Sequence, residues 1–179
     1  MIGNIVAGTF SAGVAPVFSS YESIATVTVG SGGQSTVTFS SIPSTYKHLQ
    51  IRSSHTLLGG EDNLYMKLNT SINSTYYHYL FGNGSSAVAG ATTGNLYTIQ
   101  FGNASNIFYG NIVDILDYGS TTKNKTIRTL GGADFNGSGG VYLGSNLYAT
   151  TSAITSITIG SNSYNIGQYS HFALYGIKD

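Results

Sequence analysis

The chain has 179 residues, its seven basic and seven acidic side chains cancel, and charged residues make up only 8% of it. So little charge excludes the electrostatic footprint that would grip nucleic acid or an anionic membrane. The lack of cysteine excludes disulfides, thiolate metal sites and cysteine nucleophiles together. A surface this sparsely charged tends to associate, so the composition predicts a protein that works inside an assembly.

The first segment, "MIGNIVAGTFSAGVAPVFSS" (1–20), carries no charge. No Lys or Arg precedes Lys47, and Gly3, Gly8 and Gly13 interrupt every apolar run, which argues against a secretory signal. Asn4, Thr9, Ser11 and Pro16 argue against a membrane span. Glycine is also a poor helix residue. The segment reads as an extended N-terminal attachment arm over 1–20, with Ile2, Ile5, Val6, Phe10, Val14, Val17 and Phe18 as the side chains that would bind a partner.

From Tyr21 the pattern repeats every two residues, which is the strand period. "SIATVTVG" (23–30) and "STVTFSSI" (35–42) are β-branched runs joined by "GSGGQ", a hairpin-like signal. "YKHLQIRSS" (46–54) places Leu49 and Ile51 on one face against His48, Gln50 and Arg52 on the other. "NLYMKLNT" (63–70) sets Leu64, Met66 and Leu68 against Tyr65 and Lys67. The aromatic run "YYHYLFG" (76–82) is followed by a glycine-rich loop and then "NLYTIQFG" (95–102).

"NIFYGNIVDILDYG" (106–119) reads as one long strand, and "KNKTIRTLGG" (123–132), "GGVYLGS" (139–145) and "SAITSITIG" (152–160) follow it. "QYSHFALYGIK" (168–178) closes the set, with Phe172 and Leu174 alternating with His171, Ala173 and Tyr175. No stretch shows amphipathic helical spacing. About ten short strands with polar turns predict an all-β domain over 21–179, an antiparallel β-sandwich of jelly-roll type. An immunoglobulin-like arrangement is the alternative, although tryptophan and the inter-sheet disulfide are missing.

A search for chemistry finds little that converges. The histidines His48, His55, His78 and His171 lack metal-ligand spacing and read as surface or loop imidazoles. Asp114 and Asp117 lie three apart, on opposite faces of a regular strand, which suits pairing with Arg52, Lys125 or Arg128 better than acid–base catalysis. The loops at 59–63 and 134–138 are oxygen-rich enough to suggest calcium, but each has few acidic ligands and reads as ordinary turn chemistry. No serine elbow and no phosphate-cradling glycine loop occurs. The expectation is therefore a protein that is not an enzyme and holds no cofactor; a depolymerase is the weakest alternative. The fourteen tyrosines are more informative. Tyr76, Tyr77, His78 and Tyr79 form a cluster suited either to a subunit contact or to a receptor or glycan surface.

The stretches "SYESIATVTVGSGGQSTVTFSSIPSTYKHLQIR" (20–52), "DILDYGSTTKNKTIRTLGG" (114–132), "AITSITI" (153–159) and "QYSHFALYGIK" (168–178) resemble small virion structural proteins of tailed bacteriophages. The likeness runs in order over about residues 20–178 and leaves out residues 1–19. It implies a non-enzymatic domain on the virion surface, either as capsid decoration or as a tail or fibre component, with other virion proteins as partners. It implies no ligand-binding residue. A homotrimer is the expected assembly, because it would bury more of a weakly charged surface and match the three-fold positions of a capsid. A tail-associated short fibre or glycan-binding adhesin is the alternative role.

Overall fold

The computed structural model describes residues 20–178 except 61, 72, 96 and 101–106. The proposed anchor residues Ile2, Ile5, Val6, Phe10, Val14, Val17 and Phe18 lie outside the described residues. Among the described residues there are fourteen strands and no helix. They are β1 (Tyr21–Thr28), β2 (Thr36–Phe39), β3 (His48–His55), β4 (Leu57–Leu58), β5 (Asn63–Leu68), β6 (Asn73–Gly82), β7 (Ala87–Asn95), β8 (Tyr97–Gln100), β9 (Tyr109–Ile115), β10 (Lys125–Asp134), β11 (Gly139–Tyr148), β12 (Ile157–Ser161), β13 (Asn165–Ile166) and β14 (His171–Ile177).

The chain is all-β, and its antiparallel sheets pack as a β-sandwich. An eight-stranded sheet has the order β1-β14-β3-β9-β10-β11-β6-β7, a four-stranded sheet has the order β2-β12-β5-β8, and β13 pairs with β4. The side chains that alternate inward along these strands make the core. Leu49 and Ile51 of β3, Val113 and Ile115 of β9, and Phe172 and Leu174 of β14 face Val37 and Phe39, Leu64, Met66 and Leu68, and Ile157 and Ile159 of the smaller sheet. The alternation read in 46–54 and 63–70 is thus the inside–outside alternation of β3 and β5. Sheet-to-sheet tethers add to the packing: the Tyr148 hydroxyl donates to the Leu68 carbonyl at 2.9 Å, and the Tyr118 hydroxyl donates to the Pro43 carbonyl.

Three local expectations are corrected. The runs at 23–30 and 35–42 do not form a hairpin; β1 pairs with β14 and β2 with β12, so "GSGGQ" carries the chain from one sheet to the other. Gly32 and Gly33 take positive φ there, and the buried Val29 anchors the crossing through hydrogen bonds with Ser170 and Tyr169. The long strand read at 106–119 ends at Ile115 as β9, because Asp117 adopts φ 50° and turns the chain. The stretch read as a glycine-rich loop after residue 82 contains β7, which pairs with β6 through a turn in which the Asn83 side chain accepts from the Ser85 and Ser86 amides.

Beyond β9 the large sheet continues past the edge of the smaller one: β10 and β11 still touch β8, and Ile127 and Tyr148 still join the shared core. The hairpins β10–β11 and β6–β7 extend it and carry the tyrosine cluster.

Candidate recognition surface

The extension exists because two long hairpins, each inserted between strands of the sandwich, pair with each other through β11 and β6. Strand alternation divides the tyrosine run between two faces. Tyr76 and His78 point outward and are exposed, and their rings stack at 6.4 Å. Tyr77 points inward and is 1% exposed. It stacks on Tyr79 at 5.5 Å and on Tyr142 at 6.1 Å, and Tyr79 stacks on Tyr142 at 6.1 Å. The four residues predicted as one contact surface are therefore an outer pair and an inner pair.

Glycines explain why the inner rings lie flat. A Cβ on Gly90 would meet the Tyr79 ring at 2.5 Å, and one on Gly144 would meet the Tyr142 ring at 2.9 Å, so each tyrosine covers a glycine on its own sheet. The inner face is also polar in an unusual way. The hydroxyls of Tyr77, Tyr142 and Thr129 and the amide of Asn146 are buried without a hydrogen-bond partner. Burial, with the neighbouring Tyr79, pushes the Tyr77 phenol well above the ordinary range, so it stays neutral.

The outer face carries a different pattern. The register places Ile112, Leu130, Leu143, Leu80 and Ala89 side by side on β9, β10, β11, β6 and β7. The neighbouring row is Gly110, Gly132, Val141, Gly82 and Ala87. Val141 is 61% exposed, Leu80 55%, and Leu130 and Leu143 50% each. The third row, on the other side, is Asp114, Arg128, Ser145, His78 and Ala91. Arg128 binds Asp114 at 3.2 Å, and Asp114 also accepts from the Gln50 amide at 2.8 Å. The outer surface of the extension is thus an apolar stripe bordered by glycines on one side and by a polar row on the other. Sequence reasoning did not find this stripe, because its members are one residue from each of several strands. The available signal was the alternating leucine and valine in "TIRTLGG" and "GGVYLGS", whose partner faces are filled by Thr129 and Tyr142.

The remaining candidate residues are separate from one another. His48 accepts from the Asp117 amide at 2.9 Å, and His171 shares a hydrogen bond with Thr28. His55 is fully buried rather than superficial: its position in β3 turns it inward, and its ring stacks between Tyr109 and Phe172. Burial without a countercharge lowers its pKa to about 3. Asp117 binds Lys123 at 3.1 Å, which holds its carboxyl below the ordinary range, while Asp114 serves Arg128 and Gln50 on another face. Lys125 does not pair with either aspartate; its ammonium is capped by the carbonyls of Ser120, Lys123 and Thr150.

The described aspartate of each oxygen-rich loop takes part in the turn's own hydrogen bonds, and Glu61 lies outside the described residues. In 59–63, Asp62 accepts from the Ser161 hydroxyl and from the Asn63 and Ser163 amides. In 134–138, Asp134 accepts from the Asn136 amide at 2.7 Å and closes the β10–β11 turn. Among the described residues no group of three or more His, Cys, Asp or Glu side chains is placed to hold a metal ion.

Comparison of the chain with protein-family models, with curated proteins and with solved structures finds no match.

Proposed function

We propose that this chain is a non-enzymatic structural protein of a tailed-phage virion, a decoration or cement protein displayed on the particle surface and attached through residues 1–20. The observation that carries the reading is the exposed apolar stripe on a sheet that outruns its own sandwich. A rigid domain is held by one set of strands, and a largely uncharged face is offered by another. Surfaces of this kind mark contact sites between proteins.

Strand order supports the jelly-roll type. Taken in chain order, the eight strands of the sandwich lie as first, eighth, third and sixth (β1-β14-β3-β9) over second, seventh, fourth and fifth (β2-β12-β5-β8). That arrangement of two interleaved Greek keys is used by viral capsid domains and also by lectins, so it agrees with either a shell or an adhesin role. The resemblance of about residues 20–178 to phage structural proteins is what favours a virion over other settings for this fold.

Deleting residues 1–18 tests the reading. The truncated chain keeps the β circular-dichroism spectrum and melting temperature of the full chain and loses its binding to particles. Undiminished binding after truncation overturns it. A tail-associated adhesin is the second reading, favoured by the exposed Tyr76–His78 stack, which offers an aromatic plane beside a polar ring. Glycan-array binding that disappears with Tyr76→Ala would select it over decoration.

A further inference from the structure

The geometry points to the outer face of the extension as a two-fold interface with a second copy of this chain. This draws on the same stripe as the virion reading and names what covers it, but it holds for the isolated chain and needs no particle. The stripe matches itself when turned around. Leu143 lies at its centre on β11, Leu130 and Leu80 flank it, and Ile112 and Ala89 end it. A two-fold axis along β11, between two stacked sheets, places Leu143 opposite the second copy's Leu143 and Leu130 opposite its Leu80. The bulky Ile112 then faces the small Ala89. The row beside it has the same symmetry, with Val141 central and glycines on both sides. Isologous interfaces require this kind of self-complementarity, and a surface evolved for an unrelated partner has no reason to show it.

Charge and shape agree. The stripe and the glycine row carry no ionisable side chain, and the whole chain has no net charge to hold two copies apart. The glycines lower the surface beside the leucines, so facing sheets can approach to the roughly 10 Å at which aligned sheets interdigitate. Strands spaced at about 4.8 Å make the stripe about 20 Å across from β9 to β7. With two rows spaced about 7 Å along the strands, the patch covers roughly 300 Å², below the roughly 800 Å² per partner of a standard interface, so the dimer should be a weak one that fills as concentration rises. The proposed arrangement is two-fold and differs from the homotrimer expected from the weakly charged surface and the three-fold positions of a capsid.

Sedimentation velocity of the full chain from low to high micromolar concentration is the direct test. The expected result is a monomer–dimer equilibrium that Leu143→Lys weakens at least tenfold, with its circular dichroism and melting unchanged at dilute concentration. The chain has no cysteine, so a second test is clean. Leu143→Cys should cross-link to a dimer with a short bis-maleimide, whereas Leu58→Cys, at an exposed position outside the extension, should not. A chain monomeric at every concentration, a trimer, or a dimer indifferent to Leu143→Lys would each overturn the proposal. Loss of particle binding has no bearing on these readouts, so failure here is distinct from failure of the virion reading.

Discussion

The sandwich and the extension share one sheet, yet they use its two faces in opposite ways. In the sandwich, Leu49, Ile51, Val113, Ile115, Phe172 and Leu174 turn inward onto the smaller sheet, and the outward positions hold Gln50, Arg52, Asp114 and Tyr175. In the extension Ile127 and Tyr148 still join the sandwich core, but the inward positions beyond them hold Tyr77, Tyr79, Thr129, Tyr142 and Asn146, while the outward positions hold Leu130, Leu143, Leu80 and Val141. Close-packed aliphatic side chains give the first region its stability. Both regions bury polar atoms without partners, at His55, Thr56 and Asn111 in the first and at Tyr77, Thr129, Tyr142 and Asn146 in the second. The second also leaves a row of aliphatic side chains in water, which costs free energy in the isolated chain. That inversion is what a surface retained for contact, rather than for folding, looks like.

The two edges of the sheet repeat the contrast. β1 carries Glu22, which binds Lys178, and its register slips between Ser23 and Ala25. A charge and a bulge both discourage a stray strand from pairing there. β7, "AVAGATTGN", has no charge and no proline. Its pairing with β6 also slips, but only near the Ser74 end. The edge next to the apolar stripe is therefore the less protected one.

Core truncation should show the largest difference between the regions. Ile51→Ala removes methyl groups from a site where both sheets close over the side chain, and should cost about 4 kcal/mol in urea unfolding. Leu143→Ala, at a half-exposed position, should change stability by no more than about 0.5 kcal/mol under dilute conditions. Similar costs at the two positions would erase the distinction drawn between them.

Acid sensitivity should be next in size and should belong to the sandwich. The His55 pKa falls from its ordinary 6.5 to about 3 on folding, so between those values the unfolded chain binds more protons than the folded one. Stability therefore rises with pH through this window, is complete above about 6.5, and falls as the solution is acidified. From pH 6.5 to 4 the loss attributable to His55 is about 3 kcal/mol. His55→Phe keeps a ring between Tyr109 and Phe172 and should flatten the pH dependence in this range. An unchanged acid slope in that variant would assign the effect to other groups.

How much of this was legible in the sequence depended on whether a residue's neighbours lay along the chain or across it. β3, β5 and β14 were readable because Leu49 and Ile51, Leu64 and Met66, and Phe172 and Leu174 alternate with polar residues, and the period of two is a local property. β7 was not, because Ala, Gly and Thr contrast little between faces, and the strand forms through its pairing with β6. The split of Tyr76 and His78 from Tyr77 and Tyr79 follows from alternation alone. The apolar stripe does not, since it appears only when the registers of β9, β10, β11, β6 and β7 are known. His55 escaped for a related reason: its parity within β3 was readable, but the aromatic rings that enclose it come from β9 and β14.

A smaller effect of the opposite sign separates the inner faces. Tyr142→Phe removes a buried hydroxyl that has no partner and leaves the ring stacked on Tyr77 and Tyr79. Stability should rise by about 1 kcal/mol, because the desolvation cost of the hydroxyl disappears. Thermal melting of the two proteins side by side checks this. A destabilised variant would show that the hydroxyl is satisfied in solution, and the inner face of the extension would then be an ordinary core.

The smallest expected effect lies on the polar row beside the stripe. Arg128 is bound to Asp114 at 3.2 Å, but its side chain is 58% exposed, so water and salt screen the pair. Asp114 also keeps its hydrogen bond from Gln50 when the arginine is lost. Arg128→Ala should therefore shift unfolding by less than about 0.5 kcal/mol at low micromolar concentration, with little dependence on ionic strength. A larger and salt-dependent cost in the dilute monomer would mean that this row is covered by something in solution. The outer face of the extension would then already be partly occupied within one chain, and the contrast with the sandwich would narrow accordingly.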